Sequence, residues 1–139
     1  MYTPTEKEVK NSYRILDLLS QIDGISYKQH ENRADIFILH EEDTDLDCVL
    51  DVEEDIVVVS IRVAEFVGNF SLSLATKLLE MNYTAVHGAF TINNNCLDFR
   101  VNLEIENIDL NELQSAITSV FYTVHEALPV ISSHYNRNL

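Results

Sequence analysis

The sequence has few residues that bend or cross-link a chain: of its 139 residues, three are glycine, two are proline and two are cysteine. Three glycines cannot build a phosphate-binding loop or a dinucleotide fingerprint, which excludes those nucleotide-binding motifs. Cys48 and Cys96 lack the close pairing of a zinc knuckle or a redox motif, so we expect both to be reduced, small core residues. A domain with 46% hydrophobic residues does not need a disulfide.

Basic residues are also scarce, because Lys and Arg total 9 against 23 for Asp and Glu, a formal net charge of -14. A surface this acidic repels nucleic-acid phosphates and anionic lipid headgroups, so neither nucleic acid nor a membrane is an expected partner. No apolar run approaches the length of a membrane span, and the segment Met1 to Lys10 is too polar for a signal peptide. We therefore expect a cytoplasmic protein.

Helix caps and a 3.6-residue periodicity predict three helices. In the first helix Thr3 is the predicted N-cap. Val9, Tyr13, Leu16 and Leu19 are predicted to face the core, and Ile15, Leu18 and Ile22 widen this stripe. The first predicted helix begins at Thr3 and ends at Gly24. The second begins at Ser71 or Ser73 and ends at Asn82, and the third begins at Asp109 and ends at Pro129.

Between the first two helices, and again after the second, apolar residues recur at every second position, which predicts strands. A hairpin turns at Asn93 to Asn95 and returns through the alternating strand Leu97 to Ile105. The four earlier strands are predicted over Ser26 to His30, Ala34 to His40, Leu46 to Val52 and Ile56 to Val63.

This order of elements predicts an α+β fold in which helices pack against an antiparallel sheet, in the order α-β-β-β-(β)-α-β-β-α. The length allows one domain, predicted over residues 1–131. The polar tail 132–139 is expected to fray.

Ten of the 23 acidic residues fall between Asp35 and Asp55, and part of this segment has the carboxylate spacing of a calcium loop. Against that interpretation, Cys48 stands where the sharp turn needs glycine, and the flanking segments are predicted strands. We prefer a solvated acidic loop that runs into a strand, with no metal or other cofactor. Calcium binding is kept as the alternative, with five candidate ligands: Asp43, Asp45, Asp47, Asp51 and Glu54.

No catalytic residue is predicted, because no motif for nucleophilic, metal or acid–base chemistry is present. The histidines lie in different predicted elements without metal-ligand spacing. An enzyme assembled from distant His and Asp side chains is left as a third and weaker hypothesis. The five histidines are His30, His40, His87, His125 and His134.

The connection before the second helix is more apolar than a solvated linker, since it carries Phe66, Val67, Phe70 and Leu72. One interpretation is that these side chains close the bottom of the core. The other is that they form a contact for a protein partner, since exposed apolar clusters tend to mark interfaces. Together with the exposed apolar residues of the first helix, they are our candidate partner-binding residues.

A resemblance to known families follows from this order of elements together with three stretches of sequence. The chain is similar to the YbjN family of sensory transduction regulators and, more distantly, to class I type III secretion chaperones of the Tir-chaperone kind. It departs from their usual plan in having four strands before the second helix. The stretches are Leu78-Leu79-Glu80-Met81-Asn82, Gly88-Ala89-Phe90-Thr91-Ile92, and the strand Leu97 to Ile105 that leads into the helix Leu110 to Leu128.

The resemblance implies a small acidic cytosolic protein without enzymatic activity, commonly a homodimer. Secretion chaperones of this kind hold an extended client segment against their sheet and helices. Our leading hypothesis is therefore a protein-binding module, chaperone-like or regulatory, that dimerises and engages a protein partner through apolar side chains and sheet edges.

Overall fold

A computed structural model describes residues 3–65 and 70–137 of the chain, the last three as backbone only. Within these residues the chain forms three helices and six strands in the order expected from the sequence. They are α1 (Glu6–Leu19), β1 (Ile25–His30), β2 (Arg33–Glu41), β3 (Leu46–Val52), β4 (Ile56–Glu65), α2 (Leu72–Thr84), β5 (Ala89–Asn93), β6 (Cys96–Glu104) and α3 (Leu110–Arg137).

The six strands form one antiparallel sheet in the order β1-β2-β3-β4-β6-β5. Strands that follow one another in the sequence pair with each other, except β4 and β5. β4 pairs instead with β6, although α2 and β5 lie between them in the sequence. This arrangement confirms the predicted α+β class with an antiparallel sheet. It also confirms four strands before the second helix, and it leaves β1 and β5 as edge strands.

One face of the sheet packs against α1 and α3. The period-2 alternation of the strands explains this, since one set of side chains is buried and the other set is not. The largest buried side chains of the shared core include Phe37, Phe99, Phe121, Ile15 and Leu50.

The start of α1 differs from the prediction. Its N-cap is Thr5, whose hydroxyl accepts from the Glu8 amide at 3.1 Å, while the Glu8 carboxylate accepts from the Thr5 amide at 3.0 Å. Thr3 and Glu6 have the same three-residue spacing, but Thr3 was wrong as the cap because the helix begins only at Glu6, and Glu8 supplies the carboxylate three residues after Thr5.

The buried side of α1 also differs from the predicted stripe. Ile15 and Leu19 are buried as predicted, whereas Val9 is 37% exposed and Tyr13 is 70% exposed. The buried residues of α1 also include three polar ones, Glu8, Asn11 and Ser12. The Asn11 amide donates to the backbone carbonyls of residues 53 and 54 at 3.1 and 2.9 Å, which satisfies it inside the fold.

The other two helices are longer than predicted. Ser71 caps α2 as expected, but the helix continues past Asn82 to Thr84. The Asn82 side chain instead pairs with the backbone of Phe90, accepting from its amide at 2.7 Å and donating to its carbonyl at 3.3 Å. It thereby attaches α2 to β5.

The third helix begins where Asp109 accepts from the Glu112 amide at 2.8 Å, as predicted, but it does not end at Pro129. Proline inside a helix removes one hydrogen bond and bends the axis, and the burial of Ile131 beyond it helps to offset that cost. The predicted tail is therefore helical as far as Arg137, and fraying of its end stays a prediction. Among the described residues, no helix has the length and apolar character needed to span a bilayer.

Candidate protein-binding surfaces

The five carboxylates proposed as calcium ligands do not lie in one loop. Asp43 and Asp45 lie in the turn between β2 and β3, Asp47 and Asp51 lie on β3, and Glu54 follows it. The seven residues of β3 are extended, at about 3.3 Å per residue. Asp43 and Asp45, before this strand, are therefore far from Glu54, which follows it. Within residues 3–65 and 70–137, no three His, Cys, Asp or Glu side chains gather as a metal site. Calcium binding stays a prediction.

The turn between β2 and β3 is ordered by a buried carboxylate, Glu41. Its oxygens accept from the Asp43 amide at 3.0 Å and from the amide and hydroxyl of Thr44, both at 2.6 Å. Burial acts to raise the pKa of Glu41, but these hydrogen bonds outweigh it and the pKa lies below its usual value. Asp43 then accepts from the Tyr122 hydroxyl at 3.0 Å, which links the turn to α3.

His40 pairs with two aspartates beside this turn. Its Nδ1 donates to Asp47 at 2.6 Å, and its Nε2 lies 3.4 Å from Asp45. The hydrogen bond to Asp47 is the main reason that the pKa of His40 is raised. Much of the acidic charge near these strands is therefore engaged within the chain.

The apolar connection before α2 is described in part. Phe66 and Val67 lie outside the described residues. Phe70 is half-buried and packs against the core, whereas Leu72 is 82% exposed. A role of these four residues in partner binding stays a prediction.

A stripe of exposed apolar side chains runs along α2, and the sequence pattern did not identify it. Leu72, Leu79 and Tyr83 lie on one side of the helix by their spacing, and Val86 follows just beyond its end. Leu79 is 68% exposed, Tyr83 92% and Val86 87%. We call these four residues the α2 stripe. Side chains this large are seldom so exposed together unless they meet a partner.

A depression of about 330 Å³ adjoins the α2 stripe. It lies between the end of α2 and α3, and Met81, Val86 and Tyr122 are among its lining residues. Val86 belongs to both the α2 stripe and the lining of this depression, so the two meet at the end of α2 and offer a place for an incoming side chain.

The sheet face opposite α1 and α3 is a second candidate surface. On β2 and β3, Ile36 and Ile38 are half-buried and Val49 is 38% exposed, although their strand neighbours are fully buried on the helix side. On β4, Val58 is 7% exposed yet lies outside the core cluster. We call the following five residues the open face: Ile36, Ile38, Val49, Asp51 and Val58.

Asp51 lies in the middle of the open face with apolar neighbours. Strand register places it opposite Ile36 on one side and Val58 on the other, and Val49 precedes it by two residues on the same strand face. Its Oδ1 is buried and has no hydrogen-bond partner in the described part of the chain. Burial, followed by the charge of Glu53, raises the pKa of this carboxyl group.

The sequence identified Asp51 as a candidate calcium ligand, and not as a half-buried carboxylate with one buried oxygen among aliphatic side chains. That environment depends on the pairing of β2, β3 and β4, which brings together residues from three segments. Cys48, on the opposite side of β3, is buried and its pKa is raised mainly by burial, so its thiol is an unreactive core group.

Comparisons with known proteins relate this fold to a family. The search of curated proteins found no significant match. Among solved structures, the chain is similar to one in "Structure of the heterodimeric complex ExoU-SpcU from the type III secretion system (T3SS) of Pseudomonas aeruginosa". The TM-score is 0.54 at 11% sequence identity, covering 79% of this chain and 84% of the other, which shows a shared fold.

The family comparison covers nearly the whole sequence. The family model CesT_Tir_1 matches residues 8–134, which include all three helices and all six strands in whole or in large part. The secretion-chaperone part of the sequence resemblance is thereby confirmed, and the YbjN part stays a prediction. The chain belongs to the CesT_Tir_1 family and has a type III secretion chaperone-like fold.

Proposed function

We propose that the chain is a non-enzymatic, cytoplasmic chaperone that forms a homodimer and binds a protein client. The observation that carries the proposal is the match of the family model to residues 8–134. Exposed apolar surface on a chain with this fold supports it, because such surface is unfavourable in water unless a partner covers it. A regulatory role of the YbjN kind is a separate prediction that the proposal does not need.

The homodimer is proposed to form through the α2 stripe. Leu79 and Tyr83 project from the middle and end of one helix, so a second copy related by twofold symmetry could cover both at once. The adjoining depression gives such a contact a place for a side chain to enter. Burying these side chains would supply the apolar centre that stable interfaces need.

Light scattering with a charged variant tests the dimer. We expect the wild-type chain to have the mass of two copies and Leu79→Glu to have the mass of one, because a carboxylate in an apolar interface is not solvated. Leu79 is exposed in the single chain, so the variant should fold normally.

Tyr13→Glu is the matched control, because Tyr13 is also an exposed apolar residue on a helix, here α1. We expect this variant to remain a dimer. A wild-type chain that is a strict monomer at high concentration would refute the dimer, and loss of the dimer in both variants would refute its assignment to α2.

Client binding is tested by isolating the chain from the cells that make it under native conditions. We expect a second polypeptide to co-purify in a fixed ratio. The regulatory and chaperone roles separate here, because a chaperone keeps a client that aggregates or is degraded in its absence.

A further inference from the structure

We propose that the open face binds a client segment that places a Lys or Arg side chain against Asp51, with aliphatic side chains on either side of it. This inference rests on the proposed function and names the chemistry of the client. The partner is thus a protein segment with a basic residue flanked by apolar ones.

The first argument is the unsatisfied carboxylate. A buried carboxylate oxygen without a hydrogen bond is unfavourable, and it becomes favourable when a charged donor pairs with it. In the described residues the nearby basic side chain of Arg33 holds Asp35, at 2.9 and 2.6 Å, and no hydrogen bond from it reaches Oδ1 of Asp51. Because Oδ1 itself has almost no accessible surface, a donor from a partner would pair with the other oxygen of the same carboxylate and so neutralise the charge that the two oxygens share.

The second argument is the surroundings of the carboxylate. Ile36, Val58 and Val49 border Asp51 on three sides. A Lys or Arg side chain matches this arrangement, because its methylene stem packs on aliphatic groups while its charged end reaches the carboxylate. Aliphatic neighbours of that basic residue in the client would pack on Ile38 and the other open-face side chains.

The third argument is the charge of the whole chain. A net charge of -14 attracts basic segments and repels acidic ones before contact. The open face adds specificity to that general attraction, because the carboxylate of Asp51 lies at a defined position between Ile36 and Val58.

Two synthetic peptides test the proposal on the full chain. Both alternate leucine with serine, and they differ only in a central residue, arginine in one and glutamate in the other. We expect the arginine peptide to bind at least about tenfold more tightly, as a charge-assisted hydrogen bond allows. The shifted amide signals in NMR spectra should be those of Ile36, Val49, Asp51 and Val58.

Asp51→Asn removes the charge and keeps the shape of the side chain. We expect it to reduce the preference for arginine to about twofold or less, leaving only the general attraction of the acidic surface. Asp47→Asn is the matched control, because it lowers the negative charge equally, lies on the same strand face and pairs with His40. This control should keep the full preference.

Several outcomes would overturn the inference. They are equal binding of the two peptides, equal loss of preference in both variants, or shifted signals on α1, α2 or the sheet edges instead of the open face. Concentration-dependent shifts on the open face without peptide, with a change of mass in Asp51→Asn, would assign this face to a second copy. Any of these leaves the proposed function standing if a client still co-purifies.

Discussion

Asp51 has an unusual environment for a carboxylate, and the effect of this environment on the free energy of unfolding can be measured. Its pKa is raised in the folded chain, so the unfolded chain releases the proton more readily. A carboxyl group of this kind destabilises the fold at neutral pH, and the penalty disappears as the pH falls below its unfolded value.

We therefore predict that Asp51→Asn is more stable than wild type in chemical denaturation at pH 7. The difference should shrink towards zero at about pH 3, where both states of the wild-type residue are protonated. Both proteins are compared at one concentration, because dimerisation contributes to stability. A variant less stable than wild type at pH 7 would show that the carboxylate is satisfied within the chain.

Gly88 is a second residue with a specific physical requirement. It has a φ of +82°, and a Cβ there would lie 2.6 Å from Val101 Cγ2 and 2.8 Å from the Arg100 carbonyl oxygen. Backbone cannot move away as a flexible side chain can, so any substitution forces β5 away from β6.

Gly88→Ala is predicted to lower the free energy of unfolding by about 3 kcal/mol, from the left-handed backbone and the clash together. Gly24→Ala is the matched control, because Gly24 has the same φ and nothing within 4 Å of its Cβ position. It should cost only about 1 kcal/mol. Denaturant titration measures both, and equal losses would exclude the close approach at Gly88.

At the scale of elements, the cap of α1 provides a direct comparison between the sequence pattern and the structure. Thr5→Ala is predicted to destabilise the fold by about 1 kcal/mol, because it removes the hydroxyl that accepts from the Glu8 amide. Thr3→Ala, at the position first predicted as the cap, should have little effect. Thermal denaturation measures both losses of stability. A larger loss in Thr3→Ala than in Thr5→Ala would show that Thr3 is the cap.

The strands were largely predictable because their period-2 pattern is local. Leu46–Val52 agrees with the prediction at both ends, and the hairpin turn was identified from its asparagines, two of which, Asn94 and Asn95, adopt positive φ. The order of the sheet was not predictable, since the pairing of β4 with β6 joins segments separated by α2 and β5.

Helix faces were less predictable than helix positions. A stripe of apolar spacing suggested that Val9 and Tyr13 face the core, but Asn11 and Ser12 face it because the fold satisfies their side chains. The stripe on α2 was missed for the converse reason. Its Leu and Tyr residues follow helical spacing, and only the packed structure shows that they point away from the core.

At the scale of the whole molecule, two candidate surfaces lie on different parts of the fold. The α2 stripe belongs to a helix that contacts β5 and α3, and the open face belongs to β2, β3 and β4. One copy could therefore pair with a second through α2 while its sheet remains available to a client. The charge of -14 acts on both surfaces, opposing self-association in general and favouring a basic client.

Native mass spectrometry of the chain, isolated under mild conditions from the cells that produce it, tests the central claim most directly. The account predicts an assembly of two copies of the 15.9 kDa chain with an additional polypeptide bound. A single copy without any bound polypeptide, at the concentration found in those cells, would contradict it.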